Sequence, residues 1–115
     1  MSGSFFHDAS VLGIEFEDQT GQLFLNLRIY NNEIKRVRFD EVHDFNLDSF
    51  GSQNVLFDIT HYGESASPLD EVLQAFPGLT EGVIEFAKNH NLRVYILEPS
   101  VGMSGYVVAA RLAVI

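Results

Sequence analysis

The sequence predicts an α+β fold, in which an antiparallel sheet of about six strands carries a helix pair at residues 68–89 on one face. Three patterns in the 115 residues support it. Apolar and polar residues alternate in the first half, apolar residues recur at helical spacing between positions 69 and 87, and alternation returns near the C-terminus. The length is that of one ordinary domain, so residues 1–115 are predicted to fold as a single unit.

The first two strands are predicted from period-two alternation. In Val11–Glu17 the residues Leu12, Ile14 and Phe16 share one face, as expected of a half-buried strand. A turn follows at residues 18–21, where Gly21 can adopt positive φ. The apolar face of the second strand consists of Leu23, Leu25, Leu27 and Ile29.

Two further strands extend this predicted meander. Asn31-Asn32 supplies a turn before the third strand, Ile34–Phe39, and the fourth strand runs near Asn54–Tyr62. The face of the fourth strand that is predicted to be buried consists of Val55, Phe57 and Ile59. The connection from Asp40 to Gln53 is too long for a tight hairpin.

The pattern becomes helical after Gly63. Ser67-Pro68 is suited to cap and begin a helix, and Pro77-Gly78 is suited to end it. Thr80 is then predicted to cap a second helix, Glu81–Asn89.

Two strands are predicted to close the chain. Leu92, Val94 and Ile96 alternate with polar or aromatic neighbours, and segment 100–105, which has two glycines, is predicted to be a turn. Tyr106–Ile115 is apolar on nearly both faces, which is typical of a central strand. The core is predicted to include Leu12, Ile14, Phe16, Leu25, Leu27, Val55, Phe57, Ile59, Val94, Ile96, Val108 and Leu112.

The charge and composition narrow the classes of function. The formal net charge is −9, with 16 acids against 7 bases. This charge repels phosphate backbones and anionic membranes, so neither nucleic acid nor a membrane is expected as a partner, whereas a basic protein would be attracted. There are no cysteines, and no signal peptide is apparent, which together favour the cytoplasm.

The segment Phe39–Phe50 is the strongest candidate for a binding site. It mixes carboxylates with large apolar residues and contains no Lys or Arg. Such a segment can present acids and aromatic anchors together to a basic partner. The predicted partner-binding residues are Asp40, Glu41, Asp44, Phe45, Asp48 and Phe50.

No motif identifies a catalytic reaction. The chain lacks a Gly-x-Ser-x-Gly motif and a Cys nucleophile. His7, His43 and His61 each have an acid nearby, but their spacing does not assemble three or four ligands, so neither a metal site nor a cofactor is predicted.

These features favour a protein-binding module without catalytic residues. Two alternatives remain open at this point. One is a small-molecule-binding or hydrolytic enzyme that uses the 58–61 and 100–105 region, and the other is a structural subunit that forms a homodimer or larger homo-oligomer through a strand edge.

The first half of the chain also carries a resemblance. The opening Phe6–Leu12, the alternating strands after it and the Val37–Val42 segment resemble small bacterial β-rich proteins. Some of those proteins are immunity proteins that are paired with secreted toxins. The resemblance implies a role in binding and blocking a toxin through an acidic surface, and it assigns no individual functional residues.

Overall fold

The structure is a computed structural model that describes residues 6–63, 69–76 and 79–115. The strands within these ranges are β1 (Ser10–Glu17), β2 (Gln22–Arg28), β3 (Ile34–Asp40), β4 (Asp44–Asp48), β5 (Val55–Tyr62), β6 (Arg93–Val101), β7 (Ser104–Ala109) and β8 (Arg111–Val114). A 3-10 helix, Leu69–Glu71, leads directly into α1, Val72–Ala75, and α2 spans Glu81–Asn89.

The strands form one antiparallel sheet of eight strands in the order β4-β7-β6-β5-β1-β2-β3-β8. Antiparallel pairing was predicted and is confirmed, but the prediction of six strands with a helix pair packed on one face is wrong. The structure has two more strands than predicted because β3 is followed after a bend by β4, and β7 is followed after a bend by β8. α1 has only 4 residues and α2 has 9, so helix is a minor part of the fold.

The interruptions allow the sheet to close on itself. β4 continues β3, and β8 continues β7 after a single residue, Ala110. Across these breaks the Ala110 N–H donates to the Asp40 carbonyl (2.9 Å) and the His43 N–H donates to the Val108 carbonyl (2.8 Å). Glu41 has a φ of 53° at the bend between β3 and β4, a conformation that is uncommon outside glycine.

The interior of the closed sheet is filled by apolar side chains. Leu23, Leu25 and Leu27 of β2 are fully buried and Ile29 is buried beside them, so the predicted apolar face of the second strand is confirmed. Phe39 meets Tyr95 edge-on, with ring centroids 5.2 Å apart. The other buried members of this interior core are Ala9, Val11, Val37, Leu56, Leu97, Met103, Val107 and Ala109.

A second apolar cluster lies on the outer face of β6 and β7. Along β7, residues of this cluster alternate with residues of the interior core. Tyr106–Ala109 is therefore covered on both faces, as predicted. Val114 and Ile115, in contrast, are exposed. The strands supply Val94, Ile96, Tyr106 and Val108 to this cluster.

Helix α2 contributes Ile84 and Ala87 to the outer cluster. The Thr80 hydroxyl oxygen accepts a hydrogen bond from the Val83 N–H (3.3 Å), which confirms the predicted cap. The helix signals at Ser67-Pro68 and Pro77-Gly78 lie outside the described residues.

Two strands depart from the burial that was predicted for them. β1 has a bulge between Val11 and Gly13, and β5 has a register shift between Leu56 and Asp58. An extra residue in a strand reverses the alternation of its side chains. Burial was wrongly predicted for Leu12 and Phe57, which lie at these irregularities, and Phe57 is 52% exposed. Burial was also wrongly predicted for Ile14 and Phe16, which lie opposite the buried Leu25 and Leu23 but remain exposed. Burial is confirmed for Leu25, Leu27, Val94, Ile96 and Val108, while Val55, Ile59 and Leu112 are partly buried.

Candidate binding surface

Strand β1 is paired with β2 along its length but meets β5 only where both strands begin. Ser10 is paired with Val55, the Val11 N–H donates to the Asn54 carbonyl (2.7 Å) and the Leu56 N–H donates to the Ala9 carbonyl (2.8 Å). From there β1 runs past the start of β5. Residues 13–17, which we call the β1 edge, have no strand partner on that side within the described chain.

The turn between β1 and β2 shows to which side each residue of the β1 edge directs its backbone N–H and C=O groups. The Glu17 carbonyl accepts a hydrogen bond from the Gly21 N–H (2.9 Å), so Glu17 directs its backbone towards β2. Successive residues of an antiparallel strand direct their N–H and C=O groups to opposite sides. Phe16 and Ile14 therefore direct theirs to the unpaired side.

The side chains of the β1 edge alternate between the interior and the outside. Ile14 is paired with Leu25, and Phe16 with Leu23, so both face inward because directly paired residues share a face. They are nevertheless 36% and 43% exposed. The Phe16 ring contacts the Phe45 ring, with centroids 5.2 Å apart. The interior is thus open to solvent at this end of β1.

The outer face of the β1 edge is acidic. Glu15 and Glu17 are both exposed there. Arg36 Nη2 lies 2.6 Å from Glu15 Oε1, and this contact holds one of the two carboxylates. No Lys or Arg precedes Arg28 in the sequence, so β1 itself contributes only negative charge.

Asp40, the first of the predicted partner-binding residues, is held within the fold and is only 5% exposed. Gln22 Nε2 donates to its Oδ1 (3.0 Å), Arg38 Nε lies 2.9 Å from Oδ1 and Arg111 Nε lies 3.2 Å from Oδ2. Burial by itself would raise the pKa of Asp40, but the hydrogen bond from Gln22 and the two guanidinium groups together hold that pKa below its usual value.

The other predicted acids are more accessible. Arg111 Nη1 donates to Glu41 Oε2 (3.2 Å), and the Tyr106 hydroxyl donates to Asp44 Oδ2 (3.1 Å). Burial, followed by the Asp44 carboxylate, raises the pKa of Tyr106. Asp48 is exposed, and its Oδ1 accepts a hydrogen bond from the Ser49 N–H (2.8 Å).

The six predicted residues are not brought together on one face. Phe45 of β4 packs against the interior core, while Asp44 and Asp48 alternate with it and face outward. Phe50 is 48% exposed in the connection from β4 to β5. One of the six, Phe45, contacts the β1 edge, because its ring packs against the ring of Phe16.

Sequence reasoning missed one residue that shapes this region, Asn54. It is buried, and its Oδ1 accepts hydrogen bonds from the Gly51 N–H (2.9 Å) and the Met103 N–H (3.2 Å). Its Nδ2 donates to the Gly51 carbonyl (2.8 Å). Asn54 therefore ties the β4–β5 connection to the β6–β7 turn beside Val11, and a single Asn before a strand gives no signal of this.

The two segments of the enzyme alternative lie at opposite ends of β6. His61 is paired with Tyr95, whereas Val101 is paired with Val55. Tyr95 and Val101 are six residues apart, or roughly 20 Å along an extended strand. A pocket of about 160 Å³ is lined by Phe6, Ile59, His61, Arg93, Tyr95 and Leu112. Segment 100–105 contributes nothing to that lining.

The described ranges contain no group of three His, Asp or Glu side chains that could hold a metal ion. Over the same part of the chain, no helix has the length and apolar character needed to cross a membrane. The chain matches none of the family models, curated proteins or solved structures with which it was compared. The candidate surface is therefore interpreted from its own geometry.

Proposed function

We propose that the protein is a non-catalytic binding module that holds a basic protein at the β1 edge. The observation that carries the proposal is the arrangement of four consecutive residues. Ile14 and Phe16 are exposed apolar groups at the open interior, and Glu15 and Glu17 are exposed carboxylates that alternate with them. Aromatic anchors beside charged groups are typical of tight interfaces.

The overall charge supports the same choice of partner. A net charge of −9 speeds the encounter with a positively charged protein and disfavours acidic competitors. The specific role that we propose is an immunity-type inhibitor, which would act in the cytoplasm by covering the basic surface of a toxin. The support for this role is the resemblance of the first half of the chain to small bacterial β-rich proteins, some of which are immunity proteins, together with the acidic β1 edge.

The test of the proposed surface is affinity capture from a lysate of the native host with three forms of the protein. These are the wild type, the double variant Ile14→Ser/Phe16→Ser, and the double variant Tyr30→Ser/Ile34→Ser. The last pair is matched, because Tyr30 and Ile34 are also exposed apolar residues but lie at the β2–β3 turn.

We expect a basic protein that the wild type and the Tyr30/Ile34 control retain and that the Ile14/Phe16 variant loses. Thermal unfolding of all three forms checks that the variants remain folded. The same set of captured proteins from all three forms would contradict the proposed surface.

A further inference from the structure

We propose that the partner binds by adding an extended strand to the β1 edge, and that basic residues alternate with apolar residues in this strand. The inference rests on the proposed function and specifies the mode of binding and the chemistry of the bound segment.

The backbone of the β1 edge supplies the first argument. Ile14 and Phe16 direct their N–H and C=O groups to the side where β5 has not yet begun. A strand that lies along this side would receive main-chain hydrogen bonds from both residues. This is the mode in which extended peptides add to exposed sheet edges.

The side chains of the β1 edge define the pattern of the added strand. In an antiparallel pair, residues that lie directly opposite each other share a face. Residues of the partner opposite Ile14 and Phe16 would therefore face the open interior, where the Phe45 ring lies, and apolar side chains fit there. Residues opposite Glu15 and Glu17 would face outward beside carboxylates, and Lys or Arg fits there.

The same charges argue against a second copy of this chain as the added strand. Two β1 edges paired with each other would place Glu15 and Glu17 of one copy against those of the other. Like charges that face each other across a strand pair are destabilising, and acidic groups on an edge strand protect it from self-pairing. A basic segment of another protein carries the complementary charge.

The test uses a synthetic peptide probe with the sequence Lys-Val-Lys-Ile-Lys-Val-Lys, capped at both ends and labelled with a fluorophore. A scrambled peptide that groups the lysines together has the same charge without the alternation. Two further peptides have the sequence of the probe and carry three N-methyl groups each. One is methylated on its three apolar residues, and the other on the first three of its four lysines. Binding to the intact protein is followed by fluorescence anisotropy.

In an antiparallel pair, the residues opposite Ile14 and Phe16 would exchange both backbone hydrogen bonds with them. N-methylation of the apolar residues should therefore weaken binding about tenfold or more, while N-methylation of the lysines should leave it nearly unchanged. The scrambled peptide should bind as weakly as the apolar-methylated one. The reverse preference between the two N-methylated peptides would support the same edge with parallel pairing.

Equal affinity of both N-methylated peptides would overturn strand addition. If the Ile14→Ser/Phe16→Ser variant still lost the unmethylated peptide, the proposed surface would stand and only the strand mode would fall. Unchanged binding by that variant, or no binding of any peptide to the wild type, would overturn the inference. Self-association of the protein that the peptide disrupts would also overturn it, because a second copy would then occupy the edge.

Discussion

Ser10 is paired with Val55 at the point where β1 and β5 both begin, and the two strands run from this pair in opposite directions. Beyond this pair, residues 13–17 of β1 have no strand partner on the β5 side within the described chain, so a strand edge is left uncovered here. The irregularities at Leu12 and Phe57 lie on either side of it. The junction therefore determines which residues of β1 reach solvent and supplies the binding surface that we propose.

Replacing Asn54 with Ala should loosen the connections beside this junction. The substitution removes the acceptor for the Gly51 and Met103 N–H groups, and a buried donor left without a partner costs about 1–3 kcal/mol. Asn46→Ala is the matched control, because Asn46 is exposed on β4. Urea denaturation should show the loss for Asn54→Ala, and equal midpoints for the two variants would contradict the role of Asn54.

Two phenylalanines should differ sharply in their contribution to stability. Phe39 is fully buried in the interior core, so Phe39→Ala should lower the free energy of unfolding by about 3–5 kcal/mol. Phe57 is exposed, and its ring has an edge contact with His7 (centroids 5.3 Å apart), so Phe57→Ala should cost less than about 1 kcal/mol. Equilibrium denaturation of both variants measures the difference. A large loss for Phe57→Ala would mean that β5 is assigned to the wrong phase.

Gly102 should not tolerate a side chain. It has a φ of 83°, and a Cβ at this position would overlap the Gln53 carbonyl oxygen and approach the Asn54 Oδ1 at 2.7 Å. Gly102→Ala should therefore destabilise the fold by at least roughly 1–3 kcal/mol. Gly51 is the control, because a Cβ there meets nothing within 4 Å. Thermal unfolding that shows equal effects of the two alanines would argue against this turn geometry.

The contribution of Asp40 should depend on pH. Its pKa in the folded protein lies below the usual value, so the ionised carboxylate stabilises the fold above the unfolded pKa of about 3.9. This stabilisation is lost as the pH falls through the folded pKa. Asp40→Asn should therefore cost about 1–3 kcal/mol at neutral pH, and the difference from wild type should shrink below about pH 4.

Glu41→Gln is the control for this pH dependence. Glu41 pairs with the same Arg111 but is exposed, and exposed ion pairs contribute less than about 1 kcal/mol. Unfolding free energies are measured for both variants across the acid range. A gap between wild type and Asp40→Asn that stays constant down to the lowest pH would contradict the ion-paired state of Asp40.

Strands with regular pairing could be predicted from the sequence, and strands with irregular pairing could not. Alternation identified the buried face of β2 because all six of its pairs with β3 are in uninterrupted register. The same reasoning failed at Leu12 and Phe57 because a bulge shifts alternation by one residue without a characteristic sequence. Closure of the sheet was also missed, since it depends on a bend at Glu41, which is not a residue type that favours positive φ.

The residues of the candidate site could not be predicted from the sequence, and the basic partner stays a prediction. The acid-rich segment Phe39–Phe50 pointed to a basic partner, and the same combination of acids and apolar groups occurs on the β1 edge. The separation of Asp40 from that surface depends on Arg38 and on Arg111, which is distant in sequence. The exposure of Ile14 and Phe16 depends on where β5 begins, and that relationship between strands is not encoded in either segment alone.

Amide hydrogen exchange at Ile14 and Phe16 tests the uncovered β1 edge most directly. NMR spectra of the free protein should show these two amides exchanging much faster than the amide of Leu25, which lies in the fully paired strand β2. Addition of the unmethylated Lys-Val-Lys-Ile-Lys-Val-Lys peptide should slow the exchange of both amides and leave the exchange of the Leu25 amide unchanged. Slow exchange at Ile14 and Phe16 in the free protein, equal to that of Leu25, would show that the edge is already paired and would contradict the proposed binding site.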